Sequence, residues 1–551
     1  MTIRADAETV AAYRAAAWWG EETAASRIAS HAARDPDGIA YTTGSQELTW
    51  TEYDQRSTDL AATLAGTGLA PGDRVAVLLP DGPMVHVCFV AAEKAGLVVV
   101  GLGHRAGDRE IRHLVALTGA RALVTPPQHR DRSAAELLDA LRAGDAGDAG
   151  AASTLEHHIV VPEHTGPAAT PVLLDGAPVP SPPPLDPSRR LGPDDLFMLN
   201  STSGTTGLPK CVMHTQNRWF YFHQLAAVSG RFGDDEVFMS IIPAPFGFGL
   251  WTAHFTPAIL GCPTVVMERF DADEALDLVE RLDVTVLCCV STQFIMMLNA
   301  QADRARDLSS LRCMFTGGEA VPYERAAEFE ETTGAKVLQF YGSNETGALS
   351  YTTALDTRDH RLRTAGRLIE EMQVRMFDPD NGADITATGQ RGQPGCRGPA
   401  TSLGYWGDQG ANAQLYTPDG WMLMGDIVEI DGDGYLSVVG RTSDFIIRGG
   451  KNISAPAVEE EVGTHPAVAM VAAVPMPDPV FGERVCIYVV PRSGASVSLD
   501  EIRDHLSSRG VSREWWPEHI VVVDELPRSS GGKVAKGELR EDIRTRLGAS
   551  G

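Results

Sequence analysis

A layered α/β fold followed by a smaller α+β body is what this chain of 551 residues predicts, and three observations carry the expectation. Strand and helix patterns alternate early. Arg74-Val75-Ala76-Val77-Leu78-Leu79 is an apolar run behind the Pro71-Gly72-Asp73 turn, residues 84–96 read as a helix, and residues 97–102 read as a second strand. Alternation of this kind predicts doubly wound α/β layers. Next, Leu196-Phe197-Met198-Leu199 reads as the end of a buried strand that runs straight into a loop rich in Ser, Thr and Gly. Last, the C-terminal stretch carries helix-start signals. Ser454 precedes Ala-Pro-Ala-Val-Glu-Glu-Glu, Ser498-Leu-Asp-Glu501 has the pattern of a capping box, and residues 486–490 and 520–523 read as strands.

The length allows several cores and implies more than one domain. Hydrophobic residues make up 43% and charged residues 22%, ordinary for a soluble enzyme. A net charge of −26 argues against nucleic acid or an anionic membrane as the main partner. A polyanionic ligand then needs a local basic site. Arg4, Asp6, Glu8 and Arg14 break the basic-then-apolar layout of a signal peptide, and no run reaches the ~18 apolar residues of a membrane span. The eight cysteines form no C-x-x-C pair and sit mostly in apolar surroundings, as buried thiols of a reducing compartment do. A cytoplasmic location is expected. Residues 144–153, rich in Gly, Ala and Asp, and residues 176–187, with six prolines, read as connections.

The loop itself is Ser201-Thr202-Ser203-Gly204-Thr205-Thr206-Gly207-Leu208-Pro209-Lys210. Its glycines let backbone N–H groups approach an anion, its hydroxyls add donors, and Lys210 adds charge. It is not a Walker A loop, because Leu208-Pro209 separates the last glycine from the lysine. The ten residues resemble the phosphate-loop signature of the adenylate-forming superfamily, which holds acyl-CoA synthetases, nonribosomal-peptide adenylation domains and luciferases. Further stretches match in the same order. Residues 311–320, ending in Gly317-Gly318-Glu319-Ala320, resemble the adenine-side loop of the family. Tyr341-Gly342-Ser343-Asn344-Glu345 is similar to its Tyr-Gly-x-Thr-Glu motif, which implies that Tyr341 stacks on adenine, Asn344 takes the place of the phosphate-bonding Thr, and Glu345 holds Mg²⁺. Gly425-Asp426 resembles the segment whose aspartate grips both ribose hydroxyls, as an ionised carboxylate can.

Further on, Gly440-Arg441-Thr442-Ser443 resembles the hinge between the family's large and small domains, with Arg441 reaching the nucleotide and Ser443 as pivot. Arg448-Gly449-Gly450-Lys451 matches the face that would form a thiol tunnel. The terminal Pro527 to Gly532-Lys533 stretch resembles the signature whose lysine enters the active site for adenylation. The Asp431 to Asp433 cluster lacks the later glutamate of a calcium loop and reads as a polar turn. The family's acid pocket maps to Phe246, Gly247, Phe248, Trp251 and Gly342. The aspartate with which amino-acid activators pair an ammonium would stand at Gly247, and the His common in acyl-CoA synthetases would stand at Phe246. Both are absent, and a buried unpaired ammonium is costly. An aromatic or otherwise apolar acid is therefore expected, with open space beside Gly247.

The resemblance implies a large N-terminal ATP- and acid-binding domain of layered α/β subdomains, residues 1–440, and a mobile α+β lid, residues 441–551. It implies an AMP-forming acid–thiol ligase that uses ATP and Mg²⁺, with coenzyme A or a phosphopantetheine as acceptor and with Lys533, Lys210, Glu345 and Asn344 at the chemistry. The alternatives are loading of a carrier protein in trans, adenylation of a small non-carboxylate oxoacid, and a non-catalytic nucleotide-binding protein. Retention of Lys210, Glu345, Asp426, Arg441 and Lys533 speaks against the last.

Overall fold

The computed structural model describes residues 4–143, 154–162, 171–179, 184–201, 209–318, 321–379, 381–388, 391–441, 445–448, 451–528 and 533–549. Two large sheets dominate. One has eight strands; its parallel centre runs through His157–Val160, Ala122–Thr125, Arg74–Leu78, Val98–Leu102 and Leu196–Ser201, with Cys211–Thr215 antiparallel at one edge. The other has nine, and its parallel centre contains Phe238–Ser240, Val286–Cys288, Cys313–Gly317 and Lys336–Ser343. Parallel strands covered on both faces read as unbroken apolar runs, and Val98–Leu102 is buried throughout.

The helix Pro83–Ala95 is buried at all of its residues, as a helix enclosed on every side must be. It ends at Gly96, where φ is +77° and a Cβ would stand 2.3 Å from the Arg189 carbonyl oxygen, so only glycine fits. With the helix Gln216–Gly230 it joins one core that draws Val75, Val99 and Phe197 from the first sheet and Tyr41, Phe238, Phe315 and Leu338 from the second. All eight cysteines are buried free thiols. Among the described residues no helix is long and apolar enough to cross a membrane.

The strand Phe238–Ser240 stops short of Pro243, which has no N–H to give to a ladder. The chain then makes a helical turn at Gly247–Gly249, a widened i→i+5 turn at Leu250–Phe255, and the helix Thr256–Leu260. Such widened turns recur at functional sites. The proline-rich connection contains a small hairpin, Leu173–Leu174 with Ala177–Pro178, before the helical turn Pro187–Arg189. The other predicted connection, residues 144–153, lies outside the described residues.

Toward the C-terminus, Asp426–Ile430 pairs with Leu436–Arg441, and the Asp431 carboxylate closes the turn between them by accepting from the N–H groups of Asp433 and Tyr435 at 2.9 Å. Sheet membership changes between Arg441 and Phe445. From there a five-stranded sheet, built on the long hairpin Val468–Asp478 with Gly482–Pro491, carries the helices Ala455–Gly463, Leu499–Ser508 and Lys536–Ala549. Ser454 and Ser498 cap the first two of these as the sequence predicts.

Candidate active site

In open α/β sheets ligands bind beyond the carboxyl ends of the strands, and several of the residues singled out from the sequence collect there. Cys313–Gly317 ends at Gly317, where a Cβ would stand 2.8 Å from the Phe340 carbonyl oxygen of the neighbouring strand. Gly318 follows with φ +79°. Next to it in the sheet, Lys336–Ser343 carries Tyr341 and Gly342 near its end. The Tyr341 hydroxyl donates to Asp426 Oδ2 at 3.0 Å, and Asp426 is buried. Two residues that the sequence assigns to adenine and ribose are thus in direct contact across 85 positions.

The C-terminal body closes onto the same edge. A Cβ on Gly318 would lie 2.8 Å from Lys533 Nζ. Arg528 donates to Thr292 Oγ1 at 3.1 Å, and Arg492 to Asn299 Oδ1 at 3.3 Å, both on the helix Ser291–Asp303.

A second group forms around Glu345. The Tyr405 hydroxyl donates to Glu345 Oε1 at 2.7 Å, and Lys210 Nζ lies 4.9 Å from the centre of the Tyr405 ring. Burial, and next the Glu345 carboxylate, push the Tyr405 hydroxyl well above the usual phenol range, so it stays a donor. Behind this group lies Arg218, 1% exposed, which donates to the carbonyl oxygens of Ala400 and Asn344, both at 2.9 Å. Burial lowers its pKa to about 9, with the nearby Glu345 acting the other way. Sequence reasoning missed both residues. Arg218 left a signal, as a cation in an otherwise aromatic helix; Tyr405 left none.

A carboxylate offers about four lone-pair sites, so the bond from Tyr405 leaves Glu345 with capacity for a hard cation. Among the described residues no cluster of three or more His, Cys, Asp or Glu could cage one. Mg²⁺ is usually held by one or two carboxylates together with substrate phosphates, and Glu345 offers one such carboxylate.

The acid-pocket segment corrects one expectation. Gly247 does not face open space: a Cβ there would stand 2.2 Å from Asn344 Oδ1 and 3.2 Å from Trp219 Cη2. The longer side chain of Asn344, in the place of the usual Thr, occupies the room that Gly247 leaves. Gly342 is also packed, since its Cβ would fall 1.8 Å from the Gly347 carbonyl oxygen. Trp251 is buried, stacks on Phe248 at 5.5 Å, and meets Phe315 and Phe340 edge-on at 5.1 Å. Phe246 starts the helical turn that carries Gly247.

Arg448 is engaged within the C-terminal body, donating to Glu518 at 2.6 Å and lying over the Phe481 ring. Its strand pairs in register with Lys451. Thr202, Ser203, Gly204, Thr205, Thr206, Gly207, Glu319, Ser443, Gly449 and Gly450 lie outside the described residues, as do the side chains of Arg441 and Lys451.

Comparison with known proteins identifies the family. The chain is 29% identical to the medium-chain fatty-acid–CoA ligase of Escherichia coli (strain K12), over 99% of this chain and 95% of that protein. It is 31% identical to the salicyl-AMP ligase / salicyl-S-ArCP synthetase of Mycobacterium tuberculosis (strain H37Rv), over 96% of this chain and 92% of that protein. The crystal structure of the anthranilate CoA ligase AuaEII in complex with anthranoyl-AMP superposes with a TM-score of 0.84 over 96% of this chain and 98% of that one; at 23% identity this speaks to the fold. With residues 28–406 matching the AMP-binding enzyme family and residues 457–533 its C-terminal domain, the chain belongs to the AMP-binding enzymes.

Proposed function

We propose that the protein activates a carboxylic acid with an aromatic or otherwise apolar body as an acyl-adenylate, using ATP, and then passes the acyl group to the thiol of coenzyme A. The observation that carries this reading is the meeting of Lys533 with Gly318, one residue past the strand end at Gly317, on the sheet that also supplies Tyr341 and, in the turn after Ser343, Glu345. Tyr341 and Asp426 bind adenosine, the carboxylate of Asp426 accepting from the ribose hydroxyls. Lys210 and Lys533 neutralise charge as the substrate carboxylate attacks the α-phosphorus and pyrophosphate departs. Glu345 would hold Mg²⁺, which would supply further charge neutralisation at the phosphates. Residues 441–551 act as the lid, pivoting near Ser443, and its departure with Lys533 opens the adenylate to thiol attack past residues 448–451, releasing AMP. The enzyme is cytoplasmic, in keeping with eight reduced, buried thiols.

The apolar acid follows from the rings around Trp251 and from the lack of a carboxylate at Phe246 or Gly247. Burying a ring contributes ~2 kcal/mol, enough for a tenfold or greater preference over acetate. The M. tuberculosis relative, named for both an AMP-ligase and an ArCP-synthetase activity, favours a second reading in which the acceptor is a carrier-protein phosphopantetheine. ATP–pyrophosphate exchange across aryl, cyclic and medium-chain acids tests the first half-reaction; coenzyme A against a carrier-protein panel, with the best acid, tests the second. Better exchange with acetate or amino acids than with every apolar acid would overturn the substrate class.

A further inference from the structure

The side chain of Asn344 stands at the end of a buried polar chain that no motif describes. Arg218 Nη1 lies 2.7 Å from His214 Nδ1, His214 Nε2 lies 2.7 Å from Asn200 Oδ1, and Asn200 Nδ2 approaches Asn344 Oδ1 at 3.5 Å. Arg218, His214 and Asn200 are all fully buried, at 1%, 0% and 0% exposure. Asn200 is in the strand that feeds the phosphate loop, and His214 and Arg218 lie in and just after the antiparallel strand beside it.

The direction of these bonds follows from chemistry. A guanidinium has donors only, so His214 Nδ1 must accept. Burial, with Arg218 beside it, holds the His214 pKa well below its ordinary value, so the ring is neutral and its one proton is on Nε2. Nε2–H donates to Asn200, whose oxygen is thereby fixed toward His214 and whose amide nitrogen turns toward Asn344. Asn344 Oδ1 is then the acceptor of the pair, and its Nδ2 amide carries the donors that remain. Gly247 lies against the same oxygen, and Trp219, which stands beside Gly247, stacks on His214 at 5.4 Å.

We propose that Asn200 and His214 are positioning residues for adenylation, anchored by Arg218, which fix the side-chain amide of Asn344 as a donor toward the oxygens around the reacting carboxylate and α-phosphate. This rests on the functional reading above. A threonine hydroxyl at this place can rotate to donate without help; an amide can face either way, and the relay selects the face. Asn344 serves in place of threonine because the chain supplies that selection.

The test is ATP–pyrophosphate exchange by the full-length protein, with kcat and KM for ATP and the thermal midpoint measured together. His214→Leu cannot accept from Arg218 or donate to Asn200, and is expected to lower kcat by about 10- to 100-fold, with KM for ATP within about twofold, since the adenosine contacts are elsewhere. His214→Gln, which can accept at its oxygen and donate from its nitrogen, is expected to recover most of that loss. Asn200→Asp presents an oxygen to Asn344, turns the amide over, and is expected to match His214→Leu; its effect should shrink in the Asn344→Thr background. Equal losses in His214→Leu and His214→Gln, or an Asn200→Asp effect undiminished in that background, would overturn the relay while leaving the activity assignment standing. Should His214→Leu fail to fold, the Asn200→Asp comparison decides. A wild-type protein that exchanges with no acid in the panel would overturn the functional reading, and the relay with it.

Discussion

Substituting Gly247 by alanine gives the sharpest test of how the site is packed. The added Cβ would stand 2.2 Å from Asn344 Oδ1, whereas carbon–oxygen contacts settle near ~3.3 Å. Something must therefore yield by about 1 Å. Trp219 Cη2 stands 3.2 Å from the same point and its ring is held on His214 and Phe255, so the group that gives way is the Asn344 amide. A misplacement of that size in a reacting site costs about 10²-fold, or ~2.7 kcal/mol of barrier. Exchange should drop by that factor with every acid alike, because the damage falls on the step that all acids share, and the ranking of acids should persist. Asn344→Ser removes the obstructing amide, so Gly247→Ala added to it should cost little more than Asn344→Ser alone. The cycle should report a coupling of about 2–3 kcal/mol. Additive losses, exchange within twofold of wild type in Gly247→Ala, or a reordered acid preference would refute the packing argument.

Lys533→Ala should abolish most adenylate formation while sparing thioester formation from a supplied acyl-adenylate; equal loss in both half-reactions would exclude a lid that serves them differently. Asp426→Ala should raise KM for ATP by about tenfold or more, since charge-assisted hydrogen bonds contribute about 1.5–3 kcal/mol each, and unchanged ATP kinetics would remove the residue from the ribose site. Glu93 predicts a pH effect on stability. Burial raises its pKa from 4.5 to about 6, so between those values the folded protein binds more protons than the unfolded chain and loses stability as pH rises, by ~2 kcal/mol over the window. Glu93→Gln should lack that slope, so that the thermal midpoint of wild type falls relative to the variant between pH 4.5 and about 6; a constant difference would show that the group does not titrate there.

Local signals in this sequence were reliable where the cause of structure is itself local. The runs at Arg74–Leu78 and Val98–Leu102 are apolar because both faces are covered, and the caps at Ser454 and Ser498 act within one helical turn. The motif residues Tyr341, Glu345 and Asp426 could be named from order alone. Their partners could not, because Tyr405 reaches Glu345 from 60 positions away and Gly247 meets Asn344 from a still more distant part of the chain. The two departures at Gly247 and Asn344 each look like a loss when taken along the chain. In space they are complementary, and an inference from one absent side chain to empty volume fails wherever a neighbour has grown into it.

An acyl-adenylate is an acylating agent, and the enzyme that makes it must keep it from its own nucleophiles. Cys211 follows Lys210 directly in the chain, yet it is 1% exposed and burial pushes its thiol up to about 12. The thiolate is the nucleophile in such chemistry, so this sulfur is inert at neutral pH. Cys396 and Cys313, on strands that lead to the same region, are held in the same way, each pushed up to about 12. Self-acylation is thus suppressed by the packing that builds the core, and the thiol that captures the acyl group must arrive from outside the fold.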